Sequence, residues 1–188
     1  MDKPWYQNLF VHSRKPTGVS TKAKADAGDA EAQFNLGLKC AGREGIAPDY
    51  QQAEQWYAKA AEQGHSRAQL NLGLMYSTGQ GRAKDEATAN GWFYKAALQG
   101  EAGALFNLGI SHYRASLNGS TPNALESRTE AYKWFCLADA QGYQDPVSML
   151  DCLNLRMSHE ELADATRRAA DFVRSKNGSV QKNWVPEK

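Results

Sequence analysis

Residues 71–100 read NLGLMYSTGQGRAKDEATANGWFYKAALQG, and both ends of this stretch recur in the chain. The opening NLGL stands also at residues 35–38, and NLGI stands at residues 107–110, so each step is 36 residues. The closing WFYKAALQG, at residues 92–100, follows WYAKAAEQG at residues 56–64 by the same 36 residues. Self-similarity at a fixed spacing is the signature of a repeat architecture. We therefore predict a stack of equivalent units.

A third copy of the closing string is displaced. It reads WFCLADAQG at residues 134–142, which is 42 residues after Trp92, so six residues have been inserted. The turn-forming string NGSTPN, at residues 118–123, is the natural place for that insertion.

Each unit begins with an amphipathic helix in which apolar side chains recur every fourth residue, on one helical face. We expect this face to point into the helix pair, at Ala32, Leu36, Cys40, Ala68, Leu72, Tyr76, Ala104, Leu108 and His112. Gly37, Gly73 and Gly109 lie in mid-helix, where glycine costs about 0.5–1 kcal/mol relative to alanine. Their repetition implies a backbone contact too close for a Cβ, so we predict that the partner helix crosses there.

The second helix of each unit begins near an acidic N-cap, Asp49 or Asp85, and ends at a left-handed glycine. The terminating glycines are Gly64, Gly100 and Gly142, and the inward positions are Ala53, Trp56, Ala60, Ala87, Trp92 and Ala96. Trp56, Trp92 and Trp134 share one register beside alanines. This favours hairpin packing over an aromatic platform for nucleic-acid bases.

The ends of the array differ from its middle. Residues 20–28 are predicted to form a leftover second helix, residues 145–155 one more first helix, and SHEE at 158–161 a capping box that opens a last helix to Arg174. Residues 1–19 form an N-terminal extension, poorly ordered or capping, in which Trp5, Tyr6 and Phe10 either cap the array or bind a partner. The repeat domain spans residues 20–174, and a polar tail spans residues 175–188.

Composition supports an all-α protein and names no partner. The chain has 188 residues with 28 Ala against 6 Val and 2 Ile, and its net charge is +1. That balance gives no basic excess for nucleic acid or membrane, and the absence of a long apolar run predicts a soluble, cytoplasmic protein. Cys40, Cys136 and Cys152 are too widely spaced for a Cys-x-x-Cys metal site, so we expect reduced, half-buried thiols.

These strings resemble the Sel-one-like repeat, a relative of the tetratricopeptide repeat, over about residues 23–174. Cys40 and His112 depart from its pattern by standing where the family prefers tyrosine. The closing stretch from Ala131 through Ser158 is similar to the end of bacterial members. The resemblance implies a right-handed α-solenoid of about four stacked antiparallel helix pairs. It also implies an adaptor or scaffold for protein complexes, generally without catalysis of its own.

Catalytic signatures are missing from the sequence. His159-Glu160 begins like H-E-x-x-H, but Ala163 stands at the fifth position, so the second metal ligand is absent. His112 takes the packing position of Tyr76 and is expected to be a core-edge imidazole. We therefore predict no catalytic residue, no metal site and no cofactor.

The first helices are expected to line the concave face of the stack, where a partner would bind. The candidate partner-binding positions outside the hairpin are Phe34, Asn35, Leu38, Leu70, Asn71, Leu74, Phe106, Asn107 and Ile110. Asparagine suits a peptide backbone, and the apolar neighbours suit its side chains. Alternatively, the asparagines bond across first helices and the apolar residues pack unit on unit. Glu31 and Arg67 would add mixed charge to the rim.

Two functions follow from these patterns. One is an interaction module or adaptor that binds a protein or peptide, with neither nucleic acid nor membrane as partner. The other is a small α-helical hydrolase or a regulatory subunit of an enzyme. A cleft with a cluster of perturbed titratable groups would favour the enzyme, and a smooth concave face would favour the module.

Overall fold

The computed structural model describes residues 20–42, 47–117, 122–143 and 146–176, and these ranges contain helices and turns without a strand. The helices are α1 (Thr21–Asp26), α2 (Ala30–Cys40), α3 (Tyr50–Glu62), α4 (Ser66–Thr78), α5 (Glu86–Leu98), α6 (Ala102–Ser116), α7 (Pro122–Ala140), α8 (Pro146–Asn154) and α9 (His159–Lys176). The predicted all-α class is confirmed. The predicted N-terminal extension lies outside the described residues, as do most of the polar tail and of the six-residue insertion.

The helices form a right-handed α-solenoid in which α2/α3, α4/α5 and α6/α7 are antiparallel pairs, and α8 and α9 follow at its C-terminal end. Successive pairs stack through α3 on α4 and α5 on α6, while α1 covers α2. The last units close differently, because α7 contacts both α8 and α9. Each unit thus buries its apolar faces against its neighbours, as expected for a repeat array.

Sequence-encoded caps set the helix ends. Asp49 Oδ1 accepts a hydrogen bond from Gln52 N at 2.9 Å, and Asp85 Oδ1 accepts one from Thr88 N at 3.0 Å. The predicted C-terminal glycines have positive φ angles of 89° at Gly64, 85° at Gly100 and 76° at Gly142. The acidic caps therefore mark the starts of helices, and the glycines mark their ends, where the pattern predicts them.

The mid-helix glycines mark the crossing of the two helices in each pair. A Cβ built on Gly37 would lie 2.5 Å from the Tyr57 ring, and one built on Gly73 would lie 2.6 Å from the Phe93 ring. At Gly109 the corresponding distance to the Phe135 ring is 2.5 Å. The prediction that a Cβ would not fit at these glycines is confirmed. The predicted backbone contact needs a correction, because the nearest group in each case is an aromatic ring, and only at Gly73 does a backbone atom, the Ala89 carbonyl oxygen, also lie close, at 3.2 Å from the built Cβ.

The predicted inward face of the second helices needs a correction. Tyr57 and Phe93, each one residue after a tryptophan, are buried, whereas Trp56 and Trp92 are half-buried. Lys59 Nζ lies 4.4 Å from the centre of the Trp56 ring, and Lys95 Nζ lies 3.9 Å from that of Trp92. These two tryptophans therefore cover the rim of the core beneath lysine side chains. Trp134 alone of the three is buried, at 3 % exposure.

The prediction for Ala87 was also wrong. Ala87 is exposed, whereas Ala89, two residues further, is fully buried. Among the predicted inward positions of the first helices, Ala32, Ala68, Ala104, Leu72 and Leu108 are buried. Leu36, Cys40, Tyr76 and His112 are half-buried.

Buried glutamines connect successive units. Gln33 Nε2 donates to the Ala25 carbonyl at 3.1 Å, and Gln69 Nε2 donates to the Ala61 carbonyl at 3.0 Å, 36 residues on. Each glutamine in turn accepts from a glutamine that follows a second helix, Gln63 to Gln33 at 2.7 Å and Gln99 to Gln69 at 2.8 Å. We call this repeated pair the glutamine ladder. Since Gln33 and Gln69 are both 5 % exposed, their hydrogen bonds satisfy groups that water does not reach.

The third unit breaks the glutamine ladder. Leu105 stands 36 residues after Gln69 and cannot donate to the Ala97 carbonyl, which is the equivalent of Ala61. Lys176 Nζ, from the end of α9, donates to that carbonyl instead, at 3.3 Å. Burial lowers the pKa of Lys176. The last helix therefore supplies the donor that the repeat has lost.

A cluster of charges also fastens α9 to α7. Arg168 donates to Glu126 at 3.0 Å and to Glu130 at 2.9 Å, and its Nε donates to Asp164 at 2.8 Å. Burial opposes the ionisation of Glu130, but its bonds to Lys133 and Arg168 hold its pKa below the ordinary value. Charge-assisted bonds of this kind fix geometry as well as adding stability.

The start of α9 follows the predicted capping box. Ser158 N donates to Glu161 Oε2 at 2.7 Å, and Glu161 N donates to Ser158 Oγ at 3.2 Å. The prediction of this motif is confirmed.

Candidate functional site

Three of the nine predicted site residues lie between units. Phe34 is 3 % exposed, and its ring stacks on that of His65 with centroids 4.5 Å apart. Phe106 likewise meets Tyr143, with centroids 4.8 Å apart, and Leu70 Cδ2 would lie 3.0 Å from a Cβ on Gly103. Each residue therefore packs its own first helix against the start of the next unit. The structure uses all three side chains to hold the units together.

The three asparagines have three different hydrogen-bond partners. Asn35 is exposed and donates to Glu31 Oε1 at 3.3 Å. Asn107 Nδ2 donates to the Gly103 carbonyl of its own helix at 2.7 Å. Asn71 forms a hydrogen bond with the hydroxyl of Tyr57, on the preceding second helix. Two of these amides therefore bond locally, and Asn71 bridges two units.

The other six predicted residues are exposed or half-buried, and we call them the concave stripe, after the face on which the sequence predicts them: Asn35, Leu38, Asn71, Leu74, Asn107 and Ile110. Leu38 is 42 % exposed. Leu74 and Ile110 are half-buried and pack against the cores of the second, third and fourth units. The concave stripe thus places an amide three residues before an apolar side chain on each of α2, α4 and α6.

The predicted rim charges are engaged in contacts between the first two units. His65 Nδ1 accepts from Ala68 N at 3.2 Å as the N-cap of α4, so Nε2 carries the proton and donates to Glu31 Oε2 at 2.9 Å. This hydrogen bond holds the pKa of Glu31 below its ordinary value. Arg67 lies over the Phe34 ring at 5.4 Å. The role of His65 was not predicted, although its position just before a first helix is an N-cap position.

Titratable side chains elsewhere behave as structural groups. His112 is half-buried; burial lowers its pKa, while the Glu130 carboxylate acts in the opposite direction. The three cysteines are free and half-buried, as predicted. Burial raises the pKa of Cys136 to about 12, and that of its neighbour Tyr132 to about 12. A thiol with so high a pKa is a poor nucleophile at neutral pH.

The described residues contain no group of three or more His, Cys, Asp or Glu side chains placed to hold a metal ion. Among the same residues, no helix has the length and apolar character needed to cross a bilayer.

A cleft of about 410 Å³ lies at the N-terminal end of the concave stripe, and we call it the N-terminal cleft. It lies between the start of α1 and the C-terminal half of α2. Its lining residues are Ser20, Thr21, Lys22, Asn35, Leu36, Leu38 and Lys39. Asn35 and Leu38 thus belong to both the cleft and the concave stripe.

The sequence matches a protein family, and several solved structures, including the following two, are similar to the chain. The family described as Sel1 repeat matches residues 30–65, 66–101 and 102–143. The Sel1 repeat protein from Oxalobacter formigenes is 33% identical, with a TM-score of 0.56, over 70% of this chain and 94% of that one. A search of curated proteins found no match.

The second structure is that of c5321, described as a protective antigen present in uropathogenic Escherichia coli strains displaying an SLR fold. It is 25% identical with a TM-score of 0.71. The match covers 89% of this chain but 36% of that protein, so this chain spans about a third of its length.

Proposed function

The chain belongs to the Sel1 repeat family, whose members are typically scaffolds for protein–protein interaction, and from this membership we propose that it is an adaptor. It binds a partner protein or peptide on its concave face, through the concave stripe. Phe34, Leu70 and Phe106 set the spacing of that stripe by fixing each unit on the next. The Sel1 repeat fold is generally non-catalytic, so the chain acts by binding.

The observation that carries this proposal is the exposure of Leu38 beside Asn35, at the open end of the stripe. An exposed leucine next to an amide provides what an extended or helical peptide needs: a surface for a side chain and a hydrogen-bonding group for its backbone. The same pair recurs as Asn71 with Leu74 and as Asn107 with Ile110, one unit apart each time. A partner segment that runs along the stack would meet equivalent contacts at each step.

The adaptor is proposed to work in the cytoplasm, a location supported by the lack of a long apolar run in the sequence. Fractionation of the host cells, with detection of the native protein, tests this part of the proposal. Recovery in a membrane or extracellular fraction would contradict it.

Two leucines of matched exposure test the binding face. Leu38 is 42 % exposed on the first-helix side, and Leu98 is 43 % exposed on the second helix α5. Leu38→Asp and Leu98→Asp introduce the same charge with the same loss of apolar area. The tagged full chain and both variants are used to capture proteins from a lysate of the native host, after circular dichroism has established equal helix content.

We expect Leu38→Asp to lose a captured protein that Leu98→Asp retains, because a carboxylate in an apolar contact costs binding free energy. Equal capture by all three proteins, or loss from Leu98→Asp alone, would contradict binding at the concave stripe.

A further inference from the structure

The N-terminal cleft combines two lysines with an apolar wall. Lys22 comes from α1 and Lys39 from the last turn of α2, while Leu36 and Leu38 provide the apolar surface between the two helices. Asn35 adds an amide. The cleft volume of about 410 Å³ lies within the range of sites that bind ligands or peptide side chains.

The residues that line the cleft carry positive charge. The lining contains two cations and no carboxylate. Lys22 is paired with Asp26 at 2.5 Å, so Lys39 is the lining cation that has no ion pair among the described residues. Glu31 accepts hydrogen bonds from His65 and Asn35. This contrasts with the whole chain, whose net charge is close to neutral at +1. The cleft is therefore a local site that favours an anionic group over a cationic one.

We propose, on the basis of the proposed adaptor function, that the N-terminal cleft binds an acidic segment of the partner protein that also carries a large apolar side chain. The apolar side chain lies against Leu36 and Leu38. One partner carboxylate meets Lys39, and a second replaces Asp26 at Lys22, while the amide of Asn35 bonds the peptide backbone. A mixed acidic and apolar peptide thus contacts the two lysines, the two leucines and the amide at once.

A nucleic acid fits the cleft less well, although it is also anionic. Bases are held on single strands by stacking on aromatic rings, and the lining has two leucines in the place where a ring would be needed. Two lysines also neutralise few phosphates, and phosphate contacts dominate nucleic-acid affinity. A peptide with carboxylates is therefore the favoured occupant.

The experiment pans a library of short random peptides on the immobilised full chain, and then measures the enriched peptides by fluorescence anisotropy. We expect the enriched peptides to combine Asp or Glu with Leu, Phe or a similar side chain. Lys39→Glu should weaken their binding about tenfold or more, since it replaces attraction by repulsion. Lys24→Glu is the matched control, because Lys24 is an exposed cation of α1 outside the lining, and should change affinity by about twofold at most.

Salt provides an independent readout. Raising the salt concentration from about 0.1 M to about 1 M shortens the Debye length from about 10 Å to about 3 Å. The affinity of the acidic peptides should fall over this range, and that of an equivalent peptide with Asn and Gln in place of Asp and Glu should not. Salt-independent binding of the acidic peptides would overturn the proposal.

Four other results would overturn it as well. They are enrichment without acidic bias, equal binding to Lys39→Glu and the parent chain, displacement of the peptides by an oligothymidine, and failure to enrich any peptide. A rise of about tenfold in affinity on Trp5→Ala with Phe10→Ala would mean that the chain's own N-terminal residues compete for the cleft, which also contradicts a partner site.

The capture experiment with Leu38→Asp remains independent of all of these results. If Leu38→Asp loses a partner and Lys39→Glu keeps it, the adaptor function holds and the acidic character of the partner segment is wrong.

Discussion

The ammonium group of Lys176 donates a hydrogen bond to the carbonyl oxygen of Ala97 at 3.3 Å, across 79 residues of sequence. In the two preceding units the equivalent carbonyls, of Ala25 and Ala61, accept from Gln33 and Gln69. The last helix thus replaces a side chain of the repeat by one from outside it. This replacement can be tested by removing Lys176 and restoring the glutamine of the repeat.

We expect Lys176→Ala to lower the free energy of unfolding by about 0.5–1.5 kcal/mol, because the Ala97 carbonyl loses its charged side-chain donor and keeps only the hydrogen bond from Gly100 N. Leu105→Gln restores the side chain that the glutamine ladder has at this position, between Ala97 and Gln141. Leu105→Gln should therefore be less destabilising in the Lys176→Ala background than in the parent chain. Urea unfolding of the four proteins measures this coupling, and strictly additive effects would mean that Lys176 and Leu105 do not share the carbonyl.

Gly73→Ala tests the crossing of α4 and α5. The new Cβ would lie 2.6 Å from the Phe93 ring and 3.2 Å from the Ala89 carbonyl, so the helices must move apart. We expect a loss of about 1–3 kcal/mol from overpacking despite the better helix propensity of alanine. Gly91→Ala is the matched control. Its Cβ would meet nothing within 4 Å in the described structure, and it should stabilise the chain by about 0.5–1 kcal/mol.

Chemical denaturation of both glycine variants gives the sign of each effect. Stabilisation by Gly73→Ala would show that the two helices are less closely packed than these distances require.

Asn71→Ala tests the structural role of Asn71. The substitution leaves the buried Tyr57 hydroxyl without its amide partner, and we expect a cost of about 0.5–1.5 kcal/mol in stability. In the background of Tyr57→Phe the same substitution should cost much less, since the hydroxyl is gone. Asn35→Ala, at an exposed position, should stay within about 0.5 kcal/mol of the parent chain. A large effect of Asn71→Ala in both backgrounds would assign it a different partner.

The pair of Glu31 and His65 predicts a dependence of stability on pH. Because the hydrogen bond from His65 lowers the pKa of Glu31 in the folded chain, the ionised carboxylate stabilises the fold. This contribution is complete above the unfolded pKa and is lost as the pH falls through the folded pKa. Glu31→Gln should therefore melt below the parent chain at about pH 7, and the difference should shrink towards about pH 3.

Calorimetry at several pH values measures the difference between these two melting temperatures. A difference that stays constant across the range would mean that the Glu31 carboxylate does not stabilise the fold by its charge.

The order and the ends of the helices were predictable because glycines, aromatics and acidic caps all repeat in one register of 36 residues. The identity of the aromatic residue that packs on each glycine was not predictable. Trp56 and Tyr57 are adjacent, and one residue turns a helix by about 100°, so the periodicity of alanines alone did not distinguish their directions. The same ambiguity led us to predict Ala87, in place of Ala89, as an inward residue of α5.

The site was predictable to a lesser degree, for a physical reason. A residue at an equivalent position in each unit can face either the open groove or the next unit, and neighbouring side chains decide between the two. Phe34 stacks on His65, whereas Leu38, one turn later, has no ring above it among the described residues and remains exposed. Lys176 carries no periodic signal, since it lies beyond the last repeat.

The glutamine ladder also determines how such a chain can change its length. Residues 66–101 contain one complete rung, from the Gln69 donor to the Gln99 amide, and begin and end at equivalent points. A second copy placed after residue 101 would donate to the Ala97 carbonyl and would present an identical carbonyl of its own to Leu105 and Lys176. The duplicated unit would use contacts between units that the chain already has. Growth by gene duplication therefore costs this architecture no new packing solution, and the lysine that terminates the array is carried along with its end.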